Sequence, residues 1–251
     1  MNICQALIIA AGRGVRFGAT TDSLPKPLIE VAGIPLICRT LLTARKAGID
    51  HFMIVTGYQA EVLEKFILKE TSPGLSIRCL RNERWERPNG LSVLRAKGYL
   101  HGPFALLMAD HVLDFQILKN LMADPLPSGH CRLAVDFHPE RVFDLADATK
   151  VLVKDGRILN IGKEIEDYNA IDTGVFLCSD EVFEALEAAI SMGKESLSDG
   201  IRELARKGRM EAMDTGGLFW QDVDDETSRL EVGKRLLKID DTKRREERSK
   251  T

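Results

Sequence analysis

Residues 6–28, ALIIAAGRGVRFGATTDSLPKPL, join a short apolar run to a glycine-rich basic loop. Ala6 to Ile9 has the length and β-branched content of a core strand, and Ala10 and Ala11 are small enough for a nucleotide to lie against the backbone that follows. Gly12, Gly14 and Gly18 allow the conformations of a tight turn around a ligand. Backbone N–H groups in such a turn bind phosphate oxygens, and Arg13 adds a fixed fork of donors. Lys26, between Pro25 and Pro27, adds a compact second charge. The chemistry is that of a polyphosphate site. The spacing G-x-G-x-x-x-G fits neither the dinucleotide fingerprint nor the phosphate loop ending in Gly-Lys-Ser/Thr.

AAGRGVRFG (10–18) followed by LPKPLIEVAGIPLI (24–37) resembles the signature of the nucleoside-triphosphate transferase superfamily. Members couple a nucleoside triphosphate to a phosphorylated sugar, polyol or aminoalcohol. The resemblance assigns the triphosphate to Arg13 and Lys26; Ala10, Ala11, Gly12 and Gly14 are expected to line the nucleotide from their small size and backbone freedom.

At 251 residues the chain suits one sizeable α/β domain. A formal charge of −3 with both signs interspersed gives no nucleic-acid or membrane face. No apolar run approaches the roughly 18 residues that span a bilayer, and no signal peptide is evident, so a cytoplasmic protein is expected. The five cysteines stand singly, without C-x-x-C pairs, and read as small core residues in a reducing compartment.

Helical spacing over 35–47, an apolar run at 52–57, a helix at 59–69 and a strand at 75–80 give the alternation that builds a parallel sheet. The loop 81–100, RNERWERPNGLSVLRAKGYL, leads into a helix from about Leu91. Asn82 and Gly90 lie beyond a strand's carboxyl end, where open α/β sheets bind ligands, and are candidates for reading the base. Ordinary turn chemistry explains Asn82 equally well, and Trp85 is either a loop anchor or a ligand contact. Gly90 is expected to permit close backbone approach.

In FALLMADH (104–111), Phe104 to Met108 is a continuous apolar run typical of a central strand, and Asp110 follows it. A carboxylate there wants a partner, and Mg²⁺ takes one or two protein carboxylates plus phosphate oxygens. The second ligand is sought in LFWQDVDD (218–225). Asp222 lies closest to the apolar run and matches the family's late Asp-Val segment, with Asp224 in reserve; capping of the next helix is the alternative role for Asp224 or Asp225. His111 is not needed as a base, because a phosphate monoester has a second pKa near 6 and attacks without giving up a proton. Packing or support is its expected role.

From 131 to 178 the chain reads as four strands with short turns, including an Asp155-Gly156 hairpin. An antiparallel addition packed against the first sheet is expected, with an acceptor site in the crevice. Lys150 and Lys163 are either phosphate partners or solvated strand lysines. Residues 148–177, with NGLSVLRAK and MADH, resemble the CTP:inositol-1-phosphate cytidylyltransferase family, in a match running to about residue 237. The resemblance implies transfer from CTP to inositol 1-phosphate, and places Lys150, Lys163 and Asp172 at the acceptor. It also implies Mg²⁺ at Asp110 and Asp222, and allows a homodimer. Well-known members are fused to a membrane-embedded alcohol phosphatidyltransferase. This sequence ends instead in the charged run 238–251, so any downstream membrane alcohol phosphatidyltransferase is expected to be a separate protein. Ala109 replaces the glycine of many relatives, a mild change.

The expected fold is a single Rossmann-like nucleotidyltransferase domain over 1–239. Its sheet is mixed and mainly parallel, with a nucleotide half to about 130 and an acceptor half over 131–239. The tail 240–251 is expected to be disordered. Helices at 180–191 and 198–207 are expected as scaffold. Rival readings are a phosphocholine or hexose 1-phosphate enzyme and a non-catalytic nucleotide-binding subunit. Few aromatics are present to cage a quaternary amine, and the four charged site residues argue against decay.

Overall fold

The computed structural model describes residues 3–70 and 74–248. The chain runs β1 (Gln5–Ala10), α1 (Thr20–Ser23), β2 (Glu30–Val31), β3 (Ile34–Pro35), α2 (Leu36–Lys46), β4 (His51–Thr56), α3 (Ala60–Glu70) and β5 (Ser76–Arg81). It continues with α4 (Gly90–Leu94), β6 (Phe104–Met108), β7 (His111–Leu113), α5 (Phe115–Leu121), β8 (Cys131–Asp136), β9 (Lys150–Lys154), β10 (Arg157–Gly162) and β11 (Ala170–Cys178). Last come α6 (Glu181–Ser191), α7 (Leu197–Arg206), β12 (Met210–Asp214), β13 (Trp220–Asp222) and α8 (Glu226–Arg248).

Among the described residues, nine strands form one sheet in the order β5-β4-β1-β6-β11-β8-β12-β10-β9. The β5-β4-β1-β6 block is parallel, as the strand–helix alternation predicts. The sheet as a whole is mixed and mainly parallel, as expected: β5, β4, β1, β6, β8, β12 and β9 run one way, while β11 runs antiparallel to β6, β8 and β9, and β10 runs antiparallel to β9 and β12. The later strands do not form a separate addition, because β11 bonds directly to β6 and carries the sheet onward. The β9–β11 pairing closes β11, β8, β12, β10 and β9 into a ring. Strand direction is not written in apolar periodicity, so a nine-residue apolar strand such as β11 reads alike in either sense.

Alternation along β1 sends Leu7 to one face and Ala6 and Ile8 to the other. On the first face lie Val182, Phe183 and Leu186 of α6 and Ile201 and Leu204 of α7; on the second lie Ile37 of α2, Leu63 of α3 and Ile117 of α5. Each large side chain so buried contributes about 1.5–3 kcal/mol. The α7 terminus is fixed by a reciprocal cap, in which Asp199 N–H donates to Ser196 Oγ (3.1 Å) and Ser196 N–H to Asp199 Oδ2 (3.0 Å). The expected Asp155-Gly156 hairpin is present, with φ of 51° and 72°, joining β9 to β10.

A third apolar cluster lies beyond the strand ends. Phe17, Ile29, Val31, Val112, Val223 and Val232 meet there, clamping the glycine-rich loop, β7 and the start of α8 together.

The run expected to be disordered instead continues α8 to Arg248, while 249–251 fall outside the described residues. Its Lys, Arg and Glu residues are strong helix formers, which outweighs the lack of apolar content once α8 is nucleated by packing. Of the cysteines, Cys131 and Cys178 are buried as expected, Cys38 and Cys79 are half-buried, and Cys4 is exposed beside Asp50 and His51. Among the described residues no helix is long and apolar enough to cross a membrane.

Candidate active site

Past β1, Ala10 and Ala11 are buried and the chain turns at Gly14 with φ of +71°. A short 3-10 helix (Val15–Phe17) follows, and Phe17 anchors it in the third cluster. Thr21 Oγ1 donates to the carbonyls of Gly14 (3.2 Å) and Gly18 (3.1 Å), tying the turn down. Lys26 then passes beneath it: a Cβ at Gly14 would lie 2.7 Å from Lys26 Cδ. Gly14 is therefore needed both for its left-handed backbone and to admit the lysine stem.

Lys26 is only 7% exposed. Its Nζ donates to Asp110 Oδ2 at 2.5 Å and to Asp224 Oδ1. Asp110 leaves the end of β6, and its carbonyl accepts from Val223 N–H at 2.9 Å. Beside it, β7 and β13 pair antiparallel, with His111 opposite Asp222. Residues from both ends of the sequence thus meet at the carboxyl ends of β1 and β6.

The electrostatics are crowded. Burial opposes the charge on Asp110, but Lys26 outweighs it and holds the carboxyl at about 2. Burial also opposes ionisation of Asp224, and Lys26 again brings it below the usual range despite Asp110. Asp222 lacks such a partner: burial, with Asp224 and Asp110 nearby, pushes it to about 6 despite His111. His111 Nδ1 meets Thr173 O at 2.7 Å and Nε2 lies 3.7 Å from Asp110 Oδ1. Burial disfavours its cation, yet Asp110 and Asp222 raise its pKa. Gly174, at φ of +71°, makes room for the imidazole, since a Cβ there would lie 2.4 Å from the ring. The histidine is packed and hydrogen-bonded as expected for a supporting group.

Asp110, Asp222 and Asp224 offer oxygen donors of the kind a hard divalent cation takes, and Lys26 Nζ engages one oxygen each of Asp110 and Asp224. Asp225 is the capping residue of the acidic run, its Oδ1 accepting from Ser228 N–H at 2.7 Å.

Arg13 does not join this cluster. Its exposed guanidinium pairs with Asp22 at 2.6 Å and lies 5.4 Å from the Tyr58 ring centroid. Arg16 does join it, pairing with Asp224 and, at 2.8 Å, with Asp147. Arg16, three residues on in the same basic loop, carries no motif that sets it apart in the sequence.

Asn82 is buried and used internally, its Nδ2 donating to Ser92 Oγ (2.9 Å) and its Oδ1 accepting from Arg84 N–H (3.0 Å). That is the turn role weighed above. Gly90 does permit a close approach, but to protein: a Cβ would lie 2.4 Å from Glu195 O. Trp85 packs edge-on to Tyr58 at 5.1 Å as a loop anchor.

A cavity of about 280 Å³ adjoins the cluster, lined among others by Arg16, Asp110, Lys163, Asp172, Asp222 and Asp224. Asp172 Oδ1 accepts from Gly174 N–H at 2.7 Å, while burial raises its carboxyl to about 6. Lys163 pairs with Asp147. Lys150 is turned aside, donating to Lys163 O at 2.6 Å and lying 5.8 Å from the Tyr168 ring. Asn89, whose turn with Gly90 the sequence places beyond a strand's carboxyl end, and Ser198, which has no sequence signal beyond cap chemistry, also line the cavity.

Residues 6–209 match the family model described as the MobA-like NTP transferase domain. The "Bifunctional IPC transferase and DIPP synthase" of Aquifex aeolicus is 34% identical over 225 residues, covering 87% of this chain and 48% of that protein. The protein of the same name from Archaeoglobus fulgidus is 32% identical, covering 89% of this chain and 42% of its own length. The chain thus spans about half the length of these curated relatives. The solved "inositol-1-phosphate CTP transferase from T. maritima" superposes with a TM-score of 0.81 at 26% identity, covering 90% of this chain and 91% of that one. A UDP-glucose pyrophosphorylase complexed with UDP-glucose superposes with a TM-score of 0.79 at 19% identity, covering 95% and 100%, a likeness of fold.

Proposed function

Because the chain belongs to the MobA-like NTP transferase family, we propose that it transfers CMP from CTP to inositol 1-phosphate, giving CDP-inositol and pyrophosphate. One observation carries the reading: buried Lys26 gathers Asp110 and Asp224 at the strand ends, against a cavity that Lys163 and Asp172 face from the other side. The names of the relatives that match along most of this chain support the acceptor and the nucleotide.

In this proposal the β1 loop grips the triphosphate. Backbone N–H groups around Gly12 and Gly14, with Arg13 at the loop's outer side, bind the β- and γ-phosphates. Lys26 faces the charge that builds on the leaving pyrophosphate. An oxygen of the acceptor phosphate attacks the α-phosphorus in line; the new P–O bond forms as the bond to the β-phosphate oxygen breaks. The acceptor needs no protein base, being largely dianionic at neutral pH. Asp172 accepts from acceptor hydroxyls and Lys163 pairs with its phosphate, while Lys150 steadies the Lys163 backbone. Bound Mg²⁺, held by Asp110 and Asp222, would supply charge neutralisation between phosphates. The protein's own contribution is positioning and fixed charge.

The cavity draws its aromatic surface from Phe176 and Trp220, too little to cage a choline headgroup. Pyrophosphate release by purified protein, measured with each nucleoside triphosphate against inositol 1-phosphate, glucose 1-phosphate and phosphocholine, tests the reading. CTP with inositol 1-phosphate should be turned over fastest. Equal turnover of glucose 1-phosphate would replace the acceptor, and no release with any pair would remove the enzyme assignment.

A further inference from the structure

Asp147 is an aspartate with two cations and no buried partner. One of its oxygens, Oδ2, lies 2.8 Å from Arg16 Nη1, and the other, Oδ1, meets Lys163 Nζ. Its side chain is 38% exposed. Its N–H donates to Asp144 Oδ1 at 3.2 Å, a turn within the segment between β8 and β9. That segment is held otherwise by a short 3-10 helix (Pro139–Arg141), and it reaches over the cavity through Val142, Asp144, Asp147 and Thr149.

The cavity's charges do not suit an anionic ligand as they stand. Six aspartates line it against two full cations, Arg16 and Lys163, and Asp147 engages both cations. A phosphate monoester entering this space meets net negative charge and no free donor fork. Phosphate and carboxylate offer the same feature here, oxygens sharing one negative centre, and a dianion binds an arginine and a lysine more strongly than a carboxylate does.

We propose that Asp147 fills the seat of the acceptor's phosphate, one oxygen to Arg16 and one to Lys163, and that the incoming phosphate monoester displaces it. The exchange hands both cations to the ligand and unties Asp147 from the cavity mouth, while Thr149 O stays bonded to Asp172 N–H. Asp147 is thus a specificity residue. It sets a threshold that a phosphorylated alcohol clears and an unphosphorylated one does not, because a neutral polyol has nothing to offer Arg16 and Lys163 in return. The acceptor's identity rests on the reaction proposed above; the anion seat does not.

Isothermal titration of the full chain with inorganic phosphate tests the seat without turnover. Asp147→Asn, which keeps size and turn geometry, should lower the phosphate Kd about tenfold. Asp144→Asn, which removes an equal charge 3.9 Å from Arg16 without touching Lys163, should change it less than threefold. Adding Lys163→Ala to Asp147→Asn should abolish the gain. Phosphate binding no tighter to Asp147→Asn, an equal gain in Asp144→Asn, or a gain that survives Lys163→Ala would each overturn the proposal. In turnover, Asp147→Asn should lower KM for the acceptor and leave KM for CTP unchanged; a fall in the CTP value instead would assign the seat to the nucleotide and overturn the acceptor assignment. Tighter phosphate binding in a chain that turns over no substrate pair would leave the seat standing and remove the reaction. Unchanged phosphate binding with normal turnover would do the reverse.

Discussion

Lys26 Nζ lies 2.5 Å from Asp110 Oδ2, although the two residues are 84 positions apart in the chain. Nearly all of the lysine is buried, and Asp224 shares it. Removing one member of a buried pair strands the other, at a cost of about 3–5 kcal/mol. Lys26→Met leaves Asp110 and Asp224 facing each other, so about 3 kcal/mol of unfolding free energy should be lost in urea denaturation at pH 7. Pyrophosphate release should fall by at least about a hundredfold.

Gly14→Ala should act through the same lysine. Its φ of +71° disfavours an L side chain by about 1 kcal/mol, and the added Cβ meets Lys26 Cδ at 2.7 Å. A loss of about 2 kcal/mol in stability and more than tenfold in kcat is expected. Gly12→Ala, where a Cβ meets nothing within 4 Å, should be close to neutral in stability.

The two loop arginines should separate kinetically. Arg16 touches Asp224 in the cluster, whereas Arg13 pairs with Asp22 and lies against Tyr58. Steady-state kinetics of Arg16→Ala should show kcat/KM down by about a hundredfold. Arg13→Ala should raise KM for CTP by about tenfold with kcat little changed, as for lost uniform binding. Equal effects would remove the distinction.

Asp172 titrates near 6 because it is desolvated, above the roughly 3.9 of an unfolded chain. The folded state therefore binds its proton more tightly, and Asp172 weakens folding progressively as pH rises from about 4 through 6. Asp172→Asn, which keeps the acceptor atom for Gly174 N–H, removes that dependence. Urea midpoints should show the variant about 1–2 kcal/mol more stable than the parent at pH 8 and nearly equal at pH 4. Acceptor KM should rise, as expected where a functional group is held at a cost in stability.

What the sequence carried was local. A β-branched run breaking into glycines announces β1 and its loop, a proline-flanked lysine announces a stiff cation, and a continuous apolar run ending in Asp110 announces a strand-end carboxylate. Relations across the chain were not written in periodicity. Nothing in AIDTGVFLC states that β11 runs against β6, and MEAMD at 210–214 is too polar to declare itself the strand β12, which is held in place by pairing with β8. Arg13 and Arg16 look alike as letters and are equally exposed, and only their partners, Asp22 for one and Asp147 and Asp224 for the other, tell them apart. Gly90 was recognised as a close approach, but its neighbour, Glu195 O, is brought in by tertiary packing. Asp147 is an unremarkable acidic residue until Arg16 and Lys163 arrive on either side of it.

Closure of the last five strands into a ring has a consequence for self-association. A strand at the margin of a sheet offers unpaired N–H and C=O groups to a second molecule, and the ring consumes that margin on the acceptor side by pairing β9 back to β11. Within the nine-stranded sheet this leaves β5 as the open border. Its outward residues include Arg78, laid against Tyr99, and Arg81, paired with Glu64. Charged side chains along that border discourage the stacking of one copy's strand on another's, so topology guards one end of the sheet and charged side chains the other.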